Sequence, residues 1–123
     1  MKNPHFYHSI SAFAPIAAPR QCPWGQKAFT QYLGSDRECW KVYDASELVQ
    51  IYANSSRSIL IDVGTADPFL KQQQLLPEVF EAACQKAGQP IILRRQEGYD
   101  HSYFFIATFM ADHIRHHARI LLD

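Results

Sequence analysis

The stretch from Ser58 to Arg94 reads as strand, helix, strand. Ser58-Ile59-Leu60-Ile61-Asp62-Val63 is apolar and rich in β-branched residues, and Gly64 marks the turn at its end. Pro77 then opens a helix over about Glu78 to Lys86, with Val79, Ala82 and Ala83 on its apolar side and Gly88 as its stop. Pro90-Ile91-Ile92-Leu93-Arg94 is the second strand. A crossover of this kind is right-handed and makes the two strands parallel, so their C-terminal ends share one edge of the sheet. Asp67 and His101 both leave the chain from that edge.

The flanking text fills in the same architecture. Residues 9–16 (Ser-Ile-Ser-Ala-Phe-Ala-Pro-Ile) form an apolar run closed by Pro15, which suits a strand buried on both faces. Pro19, Pro23, Trp24 and Gly25 belong to a loop, after which Ala28 to Leu33 makes a short helix stopped by Gly34. Asp44-Ala45-Ser46-Glu47 is a capping box ahead of Leu48, Val49 and Ile51. In the last segment Tyr103, Ile106, Ala107, Met110, Ile114, Ala118 and Leu121 recur at helical spacing, opposite Thr108, Asp112, Arg115 and Arg119. The expected fold is α/β, a single domain over residues 1–123 with about three parallel strands and flanking helices.

Composition narrows the partners. With 12 basic and 12 acidic side chains in 123 residues, there is no basic stripe for nucleic acid and no polybasic anchor for a membrane surface. No apolar run approaches the roughly 20 residues a spanning helix needs. The three cysteines, Cys22, Cys39 and Cys84, are odd in number and show no C-x-x-C spacing, which favours a reducing, cytoplasmic setting.

Ligands of open α/β sheets bind beyond the carboxyl ends of the strands, where Asp67 and His101 can meet. A histidine there can take a proton from a nucleophile while a buried carboxylate fixes its tautomer. Equally, an Asp after a strand is ordinary turn chemistry, and a His before a helix is an ordinary surface or capping residue. The pattern alone leaves both readings open. None of the five glycines brackets a serine as G-x-S-x-G, so no nucleophile elbow lies in these residues. His113, His116 and His117 invite a metal reading through the i, i+4 pair His113 and His117, but no Glu or Cys completes a ligand set, and solvated helix histidines are the simpler account. No metal or cofactor is expected.

At these residues the text resembles a known family. Glu97-Gly98-Tyr99-Asp100-His101-Ser102-Tyr103-Phe104-Phe105-Ile106-Ala107-Thr108-Phe109 is similar to the histidine segment of the S-formylglutathione hydrolases, the esterase D family. Ser11-Ala12-Phe13-Ala14-Pro15-Ile16, Cys22-Pro23-Trp24-Gly25-Gln26-Lys27-Ala28-Phe29, Tyr32-Leu33-Gly34 and Asp112-His113-Ile114-Arg115-His116-His117-Ala118 resemble further blocks of that family, in its order.

The resemblance implies the C-terminal part of an α/β-hydrolase fold, from a serine thioesterase that cleaves S-formylglutathione to glutathione and formate in formaldehyde detoxification. By resemblance His101 is the catalytic base, Asp67 the triad acid, and Trp24 a candidate at the substrate entrance; Asp62, Asp100 and Asp112 are decoys. Pro68 stands where the family often has glutamine, and Ala66 where it has a second acidic residue. Three further expectations follow. The front half, with its serine elbow and oxyanion loop, is missing. The chain alone is inert. It self-associates as a homo-oligomer, through the strand edge at residues 9–14 or through the face left by truncation. The alternative from another class is a non-catalytic remnant or self-associating interaction module.

Overall fold

A computed structural model describes residues 1–122. Three strands form one wholly parallel sheet in the order β1 (Ile10–Phe13), β2 (Ile59–Gly64), β3 (Ile91–Gln96). Ile10 sits opposite Ile59, and Ile59 opposite Ile91, so the strands start level and end at a common edge. The helices are α1 (Pro23–Leu33), α2 (Arg37–Trp40), α3 (Ala45–Tyr52), α4 (Pro68–Lys71), α5 (Pro77–Ala87) and α6 (Tyr103–Leu121).

β2 is buried along its whole length, as its run of branched apolar residues demands of a central parallel strand. Ile59, Ile61 and Val63 project to one face and form a core with Val49 of α3 and Phe80 and Cys84 of α5. Leu60 and Asp62 alternate to the other face, beneath α6. Helices thus cover both faces, which places the chain in the doubly covered α/β class.

The local details explain where the elements begin and end. β1 is half-buried rather than buried on both faces, because it lies at the margin of the described sheet, and it ends at Ala14, a non-glycine residue in the left-handed region at φ 42°. α1 starts earlier than expected: Pro23 occupies its first turn, where a missing N–H costs nothing, and the Cys22 sulfur accepts from Gly25 N at 3.3 Å. Trp24 and Gly25 are therefore helical, not loop. Gly25 is there for room, since a Cβ on it would come within 2.1 Å of the Pro19 carbonyl oxygen.

Asp44 caps α3 as expected, its carboxylate taking Ser46 N at 2.8 Å, but Glu47 pairs with Arg20 instead of reaching back to close the box. α5 buries Phe80 and Cys84, with Ala83 and Val79 packed against the core beside them, while Ala82, expected on the apolar side, is exposed. α6 departs furthest. Phe105, His113 and His116 face inward; of the apolar stripe, Ile106 packs against the Phe105 cluster while Tyr103, Met110, Ile114 and Leu121 lie on the exposed side.

Candidate active site

The loop after β2 and the loop after β3 are stitched together at the C-terminal edge. Thr65 N donates to Gln96 O at 3.0 Å, Ala66 N to Tyr99 O at 2.9 Å, and Gly98 N to the Thr65 hydroxyl at 2.8 Å. These bonds fix the next residue of the first loop, Asp67, against the second. Asp67 also caps α4: its Oδ1 accepts from Phe69 N at 2.7 Å, the usual role of Asp at a helix start.

The other carboxylate oxygen, Oδ2, lies 2.7 Å from His101 Nδ1, across a sequence separation of 34 residues. Asp67 is fully buried, while the His101 side chain is 40% exposed. A carboxylate only accepts, so Nδ1–H is the donor, and in the neutral ring the lone pair is on Nε2. Among the described residues no hydroxyl or thiol hydrogen-bonds Nε2. The imidazole borders a hollow of about 450 Å³ that reaches Phe13 and Ala14 at the end of β1 and Phe105 and Ile106 on α6. Trp24 stacks at a tilt on Phe69, 4.8 Å between ring centroids, and Phe69 meets the His101 ring edge-on at 4.9 Å. The expected acid and base meet, while Trp24 reaches the imidazole only through Phe69.

Of the aspartates set aside from the sequence, Asp100 is exposed, and Asp62 belongs to a separate buried network that spans β2, β3 and α6. Arg94 Nε donates to Asp62 Oδ1 at 2.7 Å, Gln96 Nε2 to the same oxygen at 3.0 Å, and His113 Nε2 to Oδ2 at 2.9 Å, with Asp112 taking another Arg94 nitrogen at 2.9 Å. Burial pushes the Asp62 carboxyl up, yet the hydrogen bonds from Arg94, Gln96 and His113 outweigh it and hold the group below the ordinary carboxylate value. The hydrogen bond to Asp62 in turn raises Arg94.

The histidines of α6 are not solvated, which corrects the simpler sequence reading. His113 and His116 are buried; His116 Nε2 donates to Ile10 O at 3.1 Å, and His117 lies 2.6 Å from the Ser9 hydroxyl and 2.8 Å from that of Ser11. They fasten α6 to β1. Burial lowers the His116 pKa, the Ile10 carbonyl opposes the shift, and His117, His113 and Arg119 add to it. Among the described residues no group of three His, Cys, Asp or Glu side chains is placed to hold a metal ion.

Parallel strands that deliver a buried aspartate and a half-exposed histidine to one sheet edge, the histidine bordering a hollow, define an α/β-hydrolase site region. Comparison with known proteins sharpens this. The family model described as "Esterase: Putative esterase" matches residues 1–116, and the chain belongs to that family. It is 59% identical over 121 residues to S-formylglutathione hydrolase of Mus musculus and 54% identical over 121 residues to that of Arabidopsis thaliana, 98% of this chain being covered each time. A solved S-formylglutathione hydrolase from Agrobacterium tumefaciens superposes with a TM-score of 0.90 at 47% identity over 98% of this chain. The chain spans only 43% of the mouse protein and 43% of the Agrobacterium one.

Proposed function

We propose that this chain supplies the acid and base of a serine thioesterase acting on S-formylglutathione. Asp67 holds the Nδ1–H tautomer of His101, and Nε2 takes the proton from a nucleophilic hydroxyl and returns it to the departing glutathione thiolate. The observation that carries the reading is the 2.7 Å contact between Asp67 Oδ2 and His101 Nδ1, in an imidazole that borders the hollow. Its place in the family and the names of its relatives support the substrate. Trp24, 44% exposed beside Phe69, borders the path by which substrate reaches the imidazole.

Because the described residues place no nucleophile at Nε2, the chain by itself does not turn over. The test is a graft: the 121 residues that align with the mouse relative replace the segment they match in it, and hydrolysis of S-formylglutathione is measured. Activity that falls by about 10⁴-fold or more on His101→Ala supports the reading. A grafted enzyme indifferent to His101→Ala, or turnover by the chain alone that His101→Ala abolishes, counts against it.

A second reading, a self-associating module, draws on the exposed side of α6. Tyr103 is 90% exposed, Phe104 73%, Ile114 61% and Leu121 60%, an apolar stripe of the kind that soluble monomers seldom leave uncovered. A second copy of the chain covers it, with β1 as the neighbouring open edge; a monomer by light scattering excludes this. The three free cysteines support a reducing, cytoplasmic setting, and the balanced charge offers nucleic acid no basic footprint. No helix of the described residues is long and apolar enough to cross a membrane.

A further inference from the structure

We infer that Phe69 is a positioning residue for His101, held in place by the backbone N–H of the buried Gln74; the inference rests on the acid and base reading of Asp67 and His101. Phe69 touches the pair twice. Its backbone N–H fixes one oxygen of Asp67 at 2.7 Å, and its ring meets the imidazole edge-on at a centroid distance of 4.9 Å and an interplanar angle of 81°. Asp67 contributes a single hydrogen bond, which by itself would leave a 40% exposed imidazole rotational freedom about it. A ring packed at right angles to it restricts that swing and keeps Nδ1 aimed at the carboxylate.

Phe69 is in turn braced from behind. Gln74 N donates to Phe69 O at 3.0 Å, and the Gln74 side-chain oxygen accepts Trp24 N at 3.0 Å. That second bond satisfies a first-turn donor of α1 that has no partner within its own helix. Gln74 is only 7% exposed, and the segment that carries it holds two non-glycine residues in the left-handed region, Gln73 at φ 57° and Leu76 at φ 50°. Gln74, buried on a connection with two left-handed residues, thus ties the start of α1 to α4 through its side-chain oxygen and its backbone N–H, with the Trp24 ring against Phe69 and Phe69 against His101.

The readout is the imidazole tautomer, which fold stability alone does not move. In mildly alkaline buffer, nitrogen chemical shifts of His101 report the Nδ1–H to Nε2–H ratio in the purified chain. The wild type is held as Nδ1–H, and Asp67→Ala returns it to Nε2–H. Phe69→Ala and Phe69→Leu lower the ratio about 2- to 10-fold, the range an edge-on aromatic pair contributes, while Phe69→Tyr keeps it. Retained amide shifts along β2 certify that each variant is folded; if Phe69→Ala fails to fold, Phe69→Leu decides. A folded Phe69→Leu protein with the wild-type ratio overturns the inference and leaves the Asp67 and His101 reading intact. A ratio that ignores Asp67→Ala overturns that reading and this inference with it.

Discussion

Gly64 and Tyr99 approach so closely that a Cβ on Gly64 would lie 2.1 Å from the Tyr99 carbonyl oxygen. The same carbonyl accepts Ala66 N at 2.9 Å, so the end of β2 and the loop that carries His101 are in direct backbone contact. The alignment of Asp67 with His101 depends on this fit.

Gly64→Ala tests it. The added methyl group has to push two backbones apart, which costs about 1–3 kcal/mol as overpacking. The expected result is a lower urea midpoint together with loss of the Nδ1–H tautomer of His101. A variant as stable as wild type, with its tautomer unchanged, contradicts the contact.

Arg94 and Asp62 predict a stability cost and a pH dependence. Arg94→Met leaves the fully buried Asp62 carboxylate with only Gln96 and His113, and removing one partner of such a pair costs about 3–5 kcal/mol, toward the low end here because the Arg94 side chain is 31% exposed. The folded Asp62 pKa is depressed, so its contribution is present above the unfolded value of about 3.9 and is lost as pH falls through the lower folded value. The folded His116 pKa is also depressed, so its contribution is present above about 6.5 and is lost as pH falls through its folded value. Urea melts against pH are expected to weaken in two stages, the upper one flattened by His116→Gln and the lower by Asp62→Asn. A single stage unaffected by either substitution contradicts the assignment.

How much of this was legible in the sequence depends on how local each cause is. The parallel order of β2 and β3 followed from crossover handedness, and the meeting of Asp67 and His101 from the common strand edge, because both are consequences of chain direction. The inward side of α6 was not legible: its apolar stripe is real, but the described residues place Phe105, His113 and His116 against the sheet, where Asp62 and the β1 carbonyl of Ile10 supply partners for polar side chains. Hydrophobic periodicity cannot see such partners. The helical Trp24 was hidden because Pro23 and Gly25 read as loop chemistry, and only the contact with Pro19 explains the glycine. Asp62 is a decoy for the triad acid, yet an ionisable group inside an apolar run, with an arginine in the neighbouring strand, is itself a signal of a buried pair.

Thiol reactivity separates the cysteines. Cys22 and Cys84 are buried, and burial pushes the Cys84 thiol up to about 11, whereas Cys39 is exposed with its thiol raised by the hydrogen bond to Asp36. Native labelling at neutral pH is expected to modify Cys39 alone, more slowly than a free thiol, and Asp36→Asn to speed it. Labelling of Cys84 at a comparable rate, read by peptide mass, contradicts the burial of the α5 face.

The most direct test of the central claim, that Asp67 and His101 act as one catalytic unit, is kcat/KM for S-formylglutathione in the grafted mouse relative carrying Asp67→Ala, His101→Ala or both. Groups that work as a unit are not additive, so the double variant is predicted to be no slower than His101→Ala alone, about 10⁴-fold or more below the unsubstituted graft. Independent losses that multiply in the double variant, or a His101→Ala graft that retains activity, would contradict the account.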